Sequence, residues 1–139
     1  MIIKDLNRLN KKVKELCEKF INECKNKDIT VIITETFRDK SRQEQAVIEN
    51  KSNAHFGYSF HNYGLAFDFA VLNKNKGITW NVNKDKNWFI CGEIGKKLGL
   101  SWGGDWKMKD YCHFEFYFNI NRDVLLNKLL KGFDANKLS

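Results

Sequence analysis

Histidine and carboxylate side chains occur in two separate segments of the chain. The first segment contains His61 and Asp68, and the second contains Asp110, His113 and Glu115. The sequence has only three histidines, so two of the three lie in these segments. Two imidazoles and one carboxylate are typical ligands of a catalytic zinc ion, which keeps a fourth position for water. The residue types therefore indicate metal-assisted hydrolysis.

Turn and strand geometry can bring three of these side chains to one ion. His61 and Asp68 are seven residues apart across a turn that leads into a predicted strand. His113, on a neighbouring predicted strand, would complete a set of three ligands. Cys112 is a candidate fourth ligand, but strand alternation directs it away from the ion. An open site is therefore favoured over a closed structural one.

Hydrolysis also needs a general base and a group that stabilises negative charge. The base must lie close to the attacking water without binding the metal. Asp110, three residues before His113, is the first candidate, and Glu115 and Asp105 are the alternatives. Arg38, at the end of the first predicted strand, is the candidate cation for the oxyanion.

Structural interpretations compete with each of these assignments. A lone histidine such as His61 usually packs or caps a turn. A salt bridge between Asp68 and Arg38 would satisfy both charges, and an unpaired buried carboxylate would be costly. Asp110 could lie in a surface turn, and Glu115 could face solvent from its strand. Together these interpretations explain poorly why histidine and acidic residues collect on one face of the predicted sheet.

Hydrophobic periodicity predicts four helices and three strands. The helices cover residues 3–26, 39–49, 87–98 and 122–131, and the strands cover residues 29–34, 65–72 and 113–118. Alternation places Phe67 and Phe114 toward the core, and Asp68 and His113 on the opposite face. We therefore expect one α+β domain over residues 1–139. In it, helices cover one face of an antiparallel sheet and the metal site lies on the other.

Composition bears on location and partners. The net charge of +7 is spread along the chain, which is compatible with anionic wall polymers and gives no concentrated nucleic-acid surface. No apolar run approaches the length of a membrane span, and the first residues lack the features of a secretory signal. Four scattered cysteines without a C-x-x-C pair favour reduced, buried thiols. His55, in a predicted loop, is expected to be exposed and without a role.

Two motifs resemble those of the LAS-type zinc peptidases, which include D-Ala-D-Ala carboxypeptidases and L-alanyl-D-glutamate endopeptidases. The S-x-H-x-x-G-x-A-x-D pattern of that family is matched by Ser59, His61, Gly64, Ala66 and Asp68. Its second pattern, an acid three residues before a metal-binding histidine, is matched at positions 110 and 113. The Trp-Gly-Gly-Asp-Trp run at 102–106 and the His-Phe-Glu run at 113–115 resemble most closely the endopeptidase branch, which is common among phage endolysins.

The resemblance implies a hedgehog/D,D-peptidase-like fold with a zinc cofactor. It implies that His61, Asp68 and His113 bind zinc, that Asp110 is the catalytic base, and that Arg38 steadies the oxyanion. The family's small turn before the arginine is replaced here by Thr-Phe-Arg-Asp at positions 36–39. No separate wall-binding module is recognisable, so substrate targeting is expected to depend on this domain and its charge, or on a partner.

The resemblance also implies a substrate and a place of action. The expected reaction is hydrolysis of the L-alanyl-D-glutamate bond in bacterial peptidoglycan, by an endolysin or wall hydrolase. Ser59, Trp102 and Asp105 are predicted to contact the substrate. Synthesis without a signal peptide and release by a holin-type route are expected. The alternatives are a D-alanyl-D-alanine carboxypeptidase or dipeptidase, and a non-catalytic zinc-containing binding domain.

Overall fold

The computed structural model describes residues 1–138 of the 139-residue chain. Within that range the chain forms four α-helices and four β-strands, joined by turns and short 3-10 segments. The helices are α1 (Lys11–Asn26), α2 (Lys40–Ile48), α3 (Asn87–Lys97) and α4 (Arg122–Leu130). The strands are β1 (Val31–Glu35), β2 (Ala66–Val71), β3 (Ser101–Trp102) and β4 (His113–Glu115).

The strands form one antiparallel sheet in the order β1-β2-β4-β3. β2 and β4 are therefore the central strands. Their register pairs Asp68 with His113 and Phe67 with Phe114. Directly paired residues lie on the same face of a sheet, so two of the predicted ligands become neighbours while two phenylalanines face the other side.

An aromatic cluster holds α1 against the sheet. Phe20 of α1 contacts Phe67, Phe69 and Phe114, with ring centroids 5.9, 5.1 and 4.9 Å away. All four rings are fully buried. Edge-on and tilted contacts of this kind contribute beyond the burial of apolar area. The helix therefore packs on the face opposite Asp68 and His113, as the alternation predicted.

α3 approaches the same face closely because it carries two glycines. A Cβ atom built on Gly92 would lie 2.5 Å from the Trp102 ring, and one built on Gly95 would lie 2.3 Å from the Phe114 ring. No real Cβ tolerates such distances, so any larger residue would push the helix outward. Gly99 follows α3 with a φ of +99°, as the sequence predicted for the end of this helix.

A buried ion-pair network joins β1 to α2. The Glu35 carboxylate accepts from Arg38 Nε at 2.9 Å and from Arg42 Nε at 2.8 Å. The side chains are only 5–8% exposed, so the two guanidinium groups depend on this carboxylate. The network fixes the segment between β1 and α2, which carries Arg38.

The third predicted strand is shorter than expected. It ends at Glu115 rather than at residue 118, because Phe118 and Asn119 adopt left-handed backbone conformations with φ of +54° and +59°. Extended strands do not accommodate these angles. Phe118 therefore lies in a turn, where it packs edge-on against Phe116 instead of continuing the strand.

The first predicted helix is also interrupted. Leu6–Arg8 forms a 3-10 turn, and α1 begins only at Lys11, where the Asn10 side chain caps the backbone amides of the first turn. The sequence also missed β3, which has only two residues.

None of the helices within residues 1–138 combines the length and apolarity needed to cross a bilayer. The α+β class itself is confirmed.

Candidate metal centre

The side chains of His61, Asp68 and His113 converge on the face of the sheet that lies opposite α1. One donor atom from each can be chosen so that all three lie within 4.8 Å of one another. The His61 and His113 side chains are almost fully buried, whereas the Asp68 side chain is 14% exposed. The structure therefore brings together the three residues predicted as ligands.

A short 3-10 helix, Phe60–Tyr63, presents His61. The Ser59 hydroxyl accepts from the His61 amide, and the Asn62 side chain returns a bond to the Ser59 backbone, which together form a capping box. Gly64 ends this turn with a φ of +68°, and a Cβ there would lie 2.9 Å from the amide nitrogen of Asn10. The glycine of the motif is thus required by backbone geometry.

One bond outside the cluster fixes the orientation of the His61 ring. Its Nδ1 lies 2.6 Å from the carbonyl oxygen of Thr36. A carbonyl only accepts, so Nδ1 carries the hydrogen and donates it. Nε2, which is 3.2 Å from Asp68 Oδ1, then has a lone pair directed into the cluster when the imidazole is neutral.

The His113 ring is held between two carboxylates. Nδ1 lies 3.0 Å from Asp68 Oδ1, and Nε2 lies 2.8 Å from Glu115 Oε1. Glu115 is buried and also accepts from the Tyr117 hydroxyl and from Arg122 Nε. A carboxylate behind a ligand histidine fixes its tautomer and increases its basicity. This arrangement leaves Nδ1 as the ring atom that faces Asp68 and His61.

Charges in the cluster shift the pKa of both central groups. Burial lowers the pKa of His113, but hydrogen bonds to Asp68 and Glu115 outweigh burial and raise that pKa to about 10. Burial raises the pKa of the Asp68 carboxyl, but the combined attraction of His61 and His113 outweighs burial and holds it well below its usual range. Without a metal, both ring nitrogens of His113 therefore carry a proton at neutral pH, and coordination through Nδ1 would release the proton on that nitrogen.

Arg38 lies beside the cluster and is almost buried. Its Nη2 donates to Asp68 Oδ2 at 3.4 Å, while its Nε is held by Glu35. The salt bridge between Arg38 and Asp68, which the sequence offered as a structural alternative, is thus present. It orients Asp68 so that Oδ2 faces the guanidinium and Oδ1 faces the two histidines. Stabilisation of an oxyanion by Arg38 stays a prediction.

A tight turn positions Asp110. Its backbone amide donates to the Gly103 carbonyl at 3.0 Å, and its own carbonyl accepts from the His113 amide at 3.2 Å. The carboxylate is not one of the three clustered donors, and it accepts from the Cys112 thiol at 3.4 Å. Burial is the main cause that raises the pKa of Cys112, and the charges of Asp68 and Asp110 add to it. The Asp110 carboxylate therefore lies next to the Cys112 thiol.

The predicted substrate contacts have other partners in the structure. Ser59 caps the 3-10 helix that carries His61. Trp102 is buried in the core and donates from its indole to the Tyr111 carbonyl at 2.8 Å. Asp105 is half-exposed and pairs with Lys96 at 2.8 Å. A substrate contact by any of the three stays a prediction.

Sequence reasoning did not find two residues near the centre. The Trp106 ring packs against the His113 ring, with centroids 5.2 Å apart. Arg122, the first residue of α4, reaches back to Glu115. Trp106 lies near Asp110 in sequence, which is a weak signal. For Arg122 the sequence contains no signal, because the position of this residue depends on the turn after β4. His55 is exposed, as the sequence predicted.

Fold and cluster together define a small α+β domain with Asp68 and His113 on the central strands of its sheet and His61 on the 3-10 helix that precedes β2. Residues 52–116, which include all three, match a family model described as D-alanyl-D-alanine carboxypeptidase. The chain is 42% identical over 108 residues to the peptidoglycan L-alanyl-D-glutamate endopeptidase CwlK of Bacillus subtilis (strain 168), with 68% of this chain and 65% of that protein covered.

Two further comparisons agree with these matches. The L-alanyl-D-glutamate peptidase of Listeria phage A118 is 30% identical over 115 residues, with 82% of this chain and 40% of that protein covered. The crystal structure of the L-Ala D-Glu endopeptidase ChiX from Serratia marcescens shares the fold, with a TM-score of 0.67, 20% identity and 86% of both chains covered. The chain thus spans less than two thirds of the length of either curated relative. The resemblance to the LAS-type peptidases is confirmed.

Proposed function

We propose that this protein is a zinc-dependent peptidoglycan endopeptidase that hydrolyses the L-alanyl-D-glutamate bond of stem peptides. The observation that carries the proposal is the convergence of His61, Asp68 and His113, all three of which lie within the residues 52–116 that match the family model. The names of the curated relatives from Bacillus subtilis and from a Listeria phage support this bond as the substrate. The phage relative also supports a role as an endolysin.

The donor set fits zinc. Two imidazole nitrogens and one carboxylate oxygen are a common catalytic combination for this ion, and His61 Nε2, His113 Nδ1 and Asp68 Oδ1 already face one another. Both histidines bond a further acceptor through their other nitrogen, as zinc ligands usually do. Zinc bound there would supply Lewis acidity, which polarises a carbonyl and lowers the pKa of a bound water to about 7.

The remaining groups would handle protons and charge. Asp110 would take a proton from the attacking water and return it to the leaving amine. Its main chain is tied to that of His113, so the base and a ligand move together. Arg38, which Glu35 and Asp68 hold in place, would stabilise negative charge on the scissile carbonyl oxygen.

A D-alanyl-D-alanine carboxypeptidase is the second candidate, because the matching family model carries that description. Analysis of the reaction products separates the two. Zinc-loaded protein incubated with purified peptidoglycan should release fragments with new N-terminal D-glutamate. Free D-alanine without such termini would favour the second candidate.

Metal content tests the site independently of the substrate. The wild-type protein should bind one zinc per chain, and His113→Ala should lose it. The exposed His55 offers a matched control, since His55→Ala removes a histidine outside the cluster and should keep the metal. Equal zinc in wild type and His113→Ala would contradict the proposed ligand set.

We propose further that the protein acts on the bacterial cell wall, that residues 1–139 form a single catalytic domain, and that release follows a holin-type route. The net charge of +7 would favour contact with anionic wall polymers. Binding to purified wall fragments that weakens as salt is added would support this contact, because exposed charges are screened by ions.

A further inference from the structure

A cleft lies beside the proposed metal centre and is lined by Trp106, Lys107 and Arg122. Its volume is about 380 Å³, which is large enough for a peptide side chain or carboxylate. The cleft is separate from the three clustered donors, and the proposed reaction steps do not use its cationic residues.

Two of its walls contact the residues around His113. The Trp106 ring lies against the His113 ring at 5.2 Å between centroids. Arg122 Nε donates to Glu115 Oε2 at 3.2 Å, and the other oxygen of Glu115 accepts from His113. A substrate held at the metal would therefore extend past these walls within one or two residues.

The cleft presents cationic groups with spare hydrogen-bonding capacity. The Arg122 side chain is 43% exposed, and within residues 1–138 only its Nε donates to a protein acceptor. Nη1 is 3.8 Å from the largely exposed Asp123, which is beyond hydrogen-bonding distance. Lys107 is exposed and forms no ion pair with any described residue. The buried carboxylate of Glu115 is already shared by His113, Tyr117 and Arg122.

The chemistry of the proposed substrate indicates which part would enter. On the L-alanine side of the scissile bond, a stem peptide continues as a neutral amide to the sugar. The D-glutamate is linked onward through its γ-carboxyl, so its α-carboxylate stays free next to the scissile nitrogen. Further carboxylates occur only beyond that residue. A guanidinium and an ammonium therefore match the D-glutamate side.

We infer that the cleft formed by Trp106, Lys107 and Arg122 binds a free carboxylate on the D-glutamate side of the stem peptide. This inference rests on the proposed function and assigns the recognition element that it lacks. The Trp106 face packs against the apolar part of the bound residue, while the two cations bind its carboxylate. The cleft thus selects stem peptides that carry the charge over amidated ones.

Three synthetic peptides test this inference and locate the carboxylate. In acetyl-L-Ala-γ-D-Glu-L-Lys-amide only the α-carboxylate of D-glutamate is free. In acetyl-L-Ala-γ-D-isoglutaminyl-L-Lys only the terminal carboxylate is free, and the amide of this second peptide has neither. Binding is measured by calorimetry on the zinc-loaded Asp110→Asn protein, in which the proposed base is absent and the peptide is not consumed.

We expect one of the two charged peptides to bind about tenfold more tightly than the neutral one, as for a hydrogen-bonded charge. The tighter of the two identifies the carboxylate. Lys107→Gln should remove most of that preference, because it removes a cation of the cleft. Among the described residues Lys107 forms no hydrogen bond or ion pair with the metal cluster, so the zinc site should be unaffected. Lys109→Gln, an exposed lysine two positions away, is the matched control and should keep the preference. Arg122→Lys is made in parallel with its zinc content measured.

Equal affinity for all three peptides would overturn the inference, as would equal behaviour of Lys107→Gln and Lys109→Gln. Failure of the proposed function is seen separately. If the zinc-loaded wild-type protein cleaves none of the peptides, the endopeptidase proposal fails, while the affinities still decide whether the cleft binds a carboxylate.

Discussion

The two histidines of the cluster are oriented by acceptors that lie outside it. The Thr36 carbonyl bonds one ring nitrogen of His61, and the Glu115 carboxylate bonds one ring nitrogen of His113. Each bond leaves the other ring nitrogen facing Asp68. The ligand residues could be predicted from the sequence because their types and spacing match a motif. The roles of the acceptors could not. A backbone carbonyl 25 residues away carries no signature in the sequence, and the residue type of Glu115 suits a base as well as it suits a support for His113.

Replacement of Glu115 by glutamine tests this support. Glu115→Gln keeps the size and an acceptor oxygen but removes the charge that favours His113 as a ligand. We expect zinc affinity to fall by about 10- to 100-fold with the fold retained. Competition with a chromogenic chelator measures the affinity, and circular dichroism checks the fold. Glu93→Gln, on the exposed side of α3, is the control and should bind zinc like the wild type.

The choice of base is tested by comparing two aspartates. Asp110→Asn should lower kcat by about 10²- to 10⁴-fold while zinc content stays at one per chain, because a general base contributes in that range. Asp105→Asn changes an exposed carboxylate that pairs with Lys96, and should have a much smaller effect. The reverse ranking would make Asp105 the base.

At the scale of elements, the position of α3 depends on two glycines. In an exposed helix, alanine in place of glycine stabilises by about 1 kcal/mol. At Gly95 the added methyl would meet the Phe114 ring, next to His113 in β4. We expect Gly95→Ala to destabilise by about 1–3 kcal/mol instead, as in overpacked cores. Urea unfolding measures this change.

An exposed helical position provides the control for that substitution. Asn22→Ala in α1 adds no atoms to the core and should leave the urea midpoint unchanged or slightly raised. A Gly95→Ala protein that is as stable as the Asn22→Ala protein would show that α3 can shift outward without cost.

The ion pairs between β1 and α2 can be tested in the same way. Glu35→Gln would leave Arg38 and Arg42 buried without their shared carboxylate. We expect a loss of about 3–5 kcal/mol in the free energy of unfolding. The exposed Glu15, which pairs with Lys19 on α1, is the control, and Glu15→Gln should leave the midpoint of urea unfolding unchanged. Equal stability of the two variants would contradict the prediction.

Element boundaries show where the sequence was sufficient. The strand that contains Asp68 and the helix that ends before Gly99 were predicted to within one residue at each end, because alternation and the glycine stop are local signals. The extent of β4 was wrong, because nothing in the type of Phe118 indicates a left-handed backbone. That turn brings α4 back so that Arg122 reaches Glu115, which is why the cleft could not be foreseen.

For the whole molecule, the cysteines provide a measure of how tightly the core is closed. All four are free, and Cys17, Cys24 and Cys91 are fully buried. Burial raises the pKa of Cys17 to about 12 and is the main cause of the raised pKa of Cys112. The pKa of Cys91 is raised first by its contact with the Cys24 thiol and then by burial. A pH of 8 is below the pKa of Cys17, Cys91 and Cys112, so these thiols stay protonated and little of the reactive thiolate is present.

We therefore expect the native protein to react slowly with a thiol reagent at pH 8, and more quickly as the pH rises toward 12. Unfolding in guanidinium should expose all four thiols at once. Absorbance of the released chromophore counts them in both states. Rapid reaction of several thiols in the native protein would mean that the core opens more often than its packing indicates.

The direct pairing of Asp68 with His113 in the register of β2 and β4 has a consequence for how the holoprotein is assembled. Hydrogen bonds within the polypeptide already arrange the donors, so folding need not wait for the ion. Chelation should then abolish turnover yet leave the melting transition cooperative, and added zinc should restore turnover within the mixing time, with no refolding phase. Such a protein can be purified and stored without metal and reconstituted at the start of an assay.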